Sequence, residues 1–106
     1  IMIKKEIKSK VTAAKVAKEL VKDLIQELDC FGTYRVKLEN IGMYYDVVVT
    51  SPNGCCNILT SSCIDRIIRV AKMYAFLYNN VSYNIDVVEA EEEHLPAFVI
   101  QVTYSK

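Results

Sequence analysis

Two switches of hydrophobic period, from helical to alternating, constrain what this chain can fold into more than any motif does. Between Ile3 and Leu28 apolar residues recur at Ile3, Ile7, Ala14, Ala17, Val21, Leu24, Ile25 and Leu28, the three-to-four-residue spacing of one helical face. Side chains rotate by about 100° per residue in an α-helix, so Lys4, Lys8, Lys15, Lys18 and Lys22 fall on the opposite side, flanked by Glu19, Asp23 and Glu27. The spacing predicts an amphipathic helix, with the turns before Ser9 open to either helix or a short strand and Gly32 suiting the helix exit. The period then falls to two. Tyr34, Val36 and Leu38 alternate with Arg35, Lys37 and Glu39; after Asn40-Ile41-Gly42, Met43, Tyr45, Val47 and Val49 alternate with Tyr44, Asp46, Val48 and Thr50. Strict alternation marks a half-buried strand, and two such runs around a tight turn read as a hairpin.

The same switch then repeats. Ser51-Pro52-Asn53-Gly54 is turn chemistry, and Cys55 to Leu59 is long enough for a short returning strand. Ser62 with Asp65 three residues on predicts a capping box, followed by an inner stripe of Ile64, Ile67, Ile68, Ala71, Ala75 and Tyr78 that ends at Asn79-Asn80. Val81, Tyr83, Ile85 and Val87 alternate with Ser82, Asn84, Asp86 and Val88. An acidic loop from Glu89 to His94 follows, and then Phe98, Ile100, Val102 and Tyr104 alternate with Ala97, Val99, Gln101 and Thr103. The order is helix, hairpin, helix, hairpin. Placing Thr33-Tyr34 on Ser82-Tyr83 also puts Val21 on Val70 and Leu28 on Leu77, which hints at a duplicated unit.

Elements of this kind pack most simply as an α+β two-layer sandwich, an antiparallel sheet of four or five strands with both helices on one face. With 106 residues, 52% hydrophobic and 25% charged, the chain is expected to form one domain over residues 1–106. The element order loosely resembles that of small phage tail-terminator and inhibitor proteins. No residue motif carries that resemblance, so it assigns no family.

Charge and cysteine usage narrow the function classes. Thirteen basic residues balance 13 acidic ones, whereas nucleic-acid binders usually present a basic excess to phosphate. No apolar run nears the roughly 18 residues of a membrane span, and Ile1 to Lys5 is too charged for a signal peptide. Cys30, the adjacent Cys55-Cys56 and Cys63 read as reduced thiols, which points to the cytoplasm. Asn80-Val81-Ser82 reads as a chance sequon.

Each chemical candidate competes with a plainer reading. Cys55, Cys56, Cys63 and His94 have the residue types of a zinc site but lack Cys-x-x-Cys spacing, and adjacent strand cysteines point to opposite sheet faces. His94 is the single histidine and so the one available base for a thiol nucleophile, yet it sits in a run of glutamates that reads as a solvated loop. With three glycines and no phosphate-loop signature, nucleotide chemistry is disfavoured. The lysine stripe of the first helix lacks arginine and interleaved aromatics for stacking.

Aromatic and apolar excess is more informative. Val70, Met73, Tyr74, Phe76 and Leu77 make the second half of the second helix apolar nearly all round, more than one buried stripe requires. The expectation is therefore a non-catalytic, homo-oligomeric interaction module, with those five residues as interface and a strand edge or sheet face as a further surface. A small regulator, inhibitor or structural subunit of phage-like type fits that size, with an unidentified protein partner and no cofactor, metal or membrane. The alternative is a small-ligand or nucleic-acid binder that uses Arg35, Lys37, Tyr44 and Gln101 on the polar sheet face together with the lysine stripe.

Overall fold

A computed structural model of the chain describes residues 3–31, 34–50, 60–90 and 93–106, with the backbone alone described for 86–90 and 93–96. The first helix, α1, spans Lys10–Leu28. It starts at Ser9, whose backbone is extended and whose hydroxyl accepts from the Thr12 amide at 3.1 Å, satisfying a donor that would otherwise lie orphaned in the first turn. The segment before it is extended, which resolves the open reading in favour of strand geometry. Lys5 forms a parallel bridge to Tyr78, its amide donating to the Leu77 carbonyl at 3.0 Å while its carbonyl accepts from the Asn79 amide at 2.8 Å. Ile7 enters the core from this segment, and Ile3 stays in solvent, 88% exposed. Their four-residue separation imitates a helix that is not there.

A single 3-10 turn, Asp29–Phe31, follows α1. Strands β1 (Arg35–Ile41) and β2 (Tyr44–Thr50) then form the first hairpin. Gly42 turns it at φ +58°, a left-handed conformation that glycine adopts without a Cβ penalty. The second helix, α2, spans Ser61–Leu77. Its cap is Thr60, whose hydroxyl accepts from the Cys63 amide at 3.2 Å; the Ser62–Asp65 box is not the start. Beginning earlier places Cys63 on the buried stripe with Ile67, Val70, Ala71 and Tyr74. Asn80, at φ +67°, reverses the chain into β3 (Val81–Ala90), using the tolerance of asparagine for that region. Strand β4 (Glu93–Thr103) completes a hairpin longer than its alternation predicted, with Glu89 opposite His94 inside the ladder rather than in a loop.

The four strands form one antiparallel sheet in the order β1-β2-β4-β3. The expected fifth strand, Cys55 to Leu59, lies outside the described residues, as does Gly32. Tyr45, Val47, Val49, Phe98, Ile100 and Val102 point to one face and join the buried residues of both helices in a single core cluster. The helices run antiparallel: Glu27 near the end of α1 meets Arg66 near the start of α2 at 3.1 Å, and Asp23 accepts from the Tyr74 hydroxyl. Helix α1 lies on the β1–β2 side of this layer and α2 on the β3 side. No helix among the described residues is long and apolar enough to cross a membrane.

The two helices share a burial spacing, though not in the alignment that the sequence suggested. Ala13, Ala17, Leu20 and Leu24 in α1 are buried at the same spacing as Cys63, Ile67, Val70 and Tyr74 in α2. Pairing Leu28 with Leu77 does not hold, since Leu28 is buried and Leu77 is 38% exposed. Val47 opposite Ile100 is the central pair of the seam between the two hairpins, so two helix-strand-strand units meet edge to edge with their helices on the same side.

Candidate functional site

The helical stripe of α2 is rotated toward α1 relative to the expected one. Of the five residues expected at an interface, Val70 and Tyr74 are therefore buried, each 5% exposed. Val70 packs in the core, and Tyr74 crosses to α1 with its hydroxyl 2.5 Å from the Asp23 carboxylate. Burial first, and then that bond, push the Tyr74 phenol well above its usual value near 10. Met73, Phe76 and Leu77 remain at the surface. With Ile3, Lys5 and Tyr78 they surround the C-terminal end of α2, where Ile3, Lys5, Phe76, Leu77 and Tyr78 line a shallow groove of about 200 Å³. Lys5 lies over the Tyr78 ring, Nζ 5.7 Å from its centroid, and Tyr74 stacks against Tyr78 at 6.3 Å. Ile3, Lys5 and Tyr78 were not expected in this surface, because only the docking of the extended N-terminal segment brings them there.

That docking also makes a polar, open groove of about 520 Å³ between Glu6, Ile7, Lys8, Asn79, Asn80 and Ser105. The Ser105 hydroxyl donates to the Lys8 carbonyl at 3.5 Å across it. No sequence signal pointed to this groove, since its walls come from three separated stretches.

The four residues of the alternative reading share the helix-free face of the sheet without forming one pocket. Arg35 pairs with Thr50 at one end of β1, whereas Tyr44 pairs with Ile41 at the other, roughly 20 Å away at strand spacing. Gln101 lies opposite Asp46 on the neighbouring strand. Lys37 is held by Glu39 at 3.2 Å. The lysine stripe is shorter than expected: Lys15, Lys18 and Lys22 line the outside of α1, but Lys4 and Lys8 precede the helix, and Lys8 pairs with Glu6 at 3.2 Å.

Two of the four thiols lie among the described residues, Cys63 buried and Cys30 exposed. Burial pushes the Cys63 thiol up, and the hydroxyl of Tyr34 beside it is raised by burial as well; a reactive cysteine needs the opposite shift. Cys30 is an exposed free thiol against the Glu27 carbonyl at 3.8 Å. Cys55 and Cys56 lie outside the described residues, and the His94 side chain is not described. Among the described residues no three His, Cys, Asp or Glu side chains gather in a way that would hold a metal ion.

Further apolar exposure is spread over Val11 and Ile25 on α1, Ile41 and Met43 at the first hairpin turn, and β3. Tyr83 and Ile85 sit opposite Ile100 and Phe98 and so face the helix layer, yet they are 37% and 56% exposed while their partners are fully buried. The expectation that the whole helix-side face is covered thus fails at this edge: α2 lies on the β3 side, yet Tyr83 and Ile85 stay exposed beside it. Compared with protein families, curated proteins and solved structures, the chain finds no match.

Proposed function

We propose that this chain is a non-catalytic interaction module that self-associates and works through protein contacts, as a small regulator, inhibitor or structural subunit. The observation that carries this reading is the apolar surface left over after one core is filled. Met73, Phe76 and Leu77 on α2, Ile3 beside them, and Tyr83 and Ile85 on β3 are all at least 37% exposed, and apolar residues that are exposed side by side, as at the end of α2, mark a surface that meets a partner.

Size-exclusion chromatography with light scattering tests it. The expected result is a mass above the 12.1 kDa of one chain, falling on dilution. A strict monomer at high concentration contradicts the self-associating part of the proposal.

A further inference from the structure

We infer that the second copy of this chain seats on the outer edge of β3, so that two sheets join across a twofold axis into one sheet of eight strands. The inference rests on the self-association proposed above and assigns it a surface.

The two edges of the sheet differ in kind. On the β1 edge Arg35, Lys37 and Glu39 alternate with half-buried Val36 and Leu38, and charged side chains along an edge oppose the addition of another strand. The β3 edge is ten residues long. Its first five residues, Val81 to Ile85, contain no charge and no proline, and among the described residues nothing pairs with its outer side. The apolar exposure continues above it. Ile64, Ile68 and Ala75 are half-buried on the flank of α2 that faces away from α1, the flank opposite the Arg66 and Tyr74 contacts to α1. Helix flank and strand thus form one apolar border along the molecule.

The sequence of β3 complements itself in one antiparallel register. Centred on Asn84, a twofold axis sets Tyr83 opposite Ile85 of the second copy, Asn84 opposite Asn84, and Ser82 opposite position 86. The acidic positions 86 and 89 then never face each other, and the two exposed apolar residues cover one another as directly opposed pairs do. The helix layer also fits. Two strands occupy about 10 Å, and packed helices lie about 8–10 Å apart, so one helix per two strands continues unbroken across the seam. The two copies of α2 would lie side by side over the joined β3 strands and cover Tyr83 and Ile85. The chain already uses this arrangement internally where β2 meets β4. A closed twofold contact of this sort also removes the open edge, which an indefinitely repeating contact would not.

Light scattering of the full chain and of two surface variants tests the assignment. Tyr83→Lys with Ile85→Lys replaces residues that are exposed in the single chain, so it should fold, verified by circular dichroism, and run at 12.1 kDa while the wild type runs at twice that. Met73→Lys with Phe76→Lys should remain dimeric. If the β3 variant stays dimeric, or the α2 variant alone dissociates, the edge assignment is overturned and self-association stands. A monomeric wild type overturns both. Should the β3 variant not fold, Asn84→Cys decides: under mild oxidation it should give a disulfide-linked dimer well above the wild-type background, with Ser82→Cys giving none. Equal cross-linking of the two contradicts the register.

Discussion

The Tyr74 hydroxyl bridges α2 to α1 through Asp23 in a partly buried gap, a contact on the buried stripe that sequence spacing misjudged. Tyr74→Phe leaves the ring in place and removes one charge-assisted hydrogen bond, so it should cost about 1–3 kcal/mol. The phenol is raised in the folded state, so its contribution is fully present below the ordinary tyrosine pKa of about 10 and is lost as pH climbs above it. Urea melts of the wild type and Tyr74→Phe should therefore differ at neutral pH and converge in alkali; a difference that widens with pH contradicts the assignment. Inward residues on β2 and β4 such as Val47 and Ile100 were legible because a period of two leaves only two faces to choose from. Tyr74 was not, because apolar residues surround this half of α2 and do not single out one buried stripe.

At the scale of elements, both helices, all four described strands and their order follow from periodicity and turn chemistry. Boundaries were less legible where two neighbouring hydroxyls both offered a cap, as Thr60 and Ser62 do, and where alternation ran on through an acidic stretch, as in β3 and β4. The N-terminal segment is the sharpest case. Ile7 is fully buried and Ile3 is 88% exposed, although helical spacing treats them alike. Ile7→Ala should cost about 2–5 kcal/mol as a core truncation, whereas Ile3→Ala should fall within about 0.5 kcal/mol. Chemical denaturation of the two variants reads this directly, and equal costs would mean the segment is not docked as an extended strand. The grooves at the end of α2 depend on the same docking, which is why no local pattern disclosed them.

For the whole molecule, the α+β class, with two helices and a four-stranded antiparallel sheet, was readable from amphipathic elements alone, but the uncovered part of that sheet was not. Periodicity says which side of a strand is apolar; it does not say which residues on that side a helix will cover. Tyr83 and Ile85 are the residues left over, and they lie on the edge that carries no charge among its first five residues. A chain built this way either tolerates an open apolar border or closes it with a second copy, and the self-complementary register of β3 favours closure. Amide hydrogen exchange at Val81–Ile85, followed at low and high protein concentration, tests that most directly. With a second copy closing the edge, protection there rises with concentration while the buried turns of α1 stay unchanged; fast exchange of the outward amides of β3 at every concentration would contradict closure.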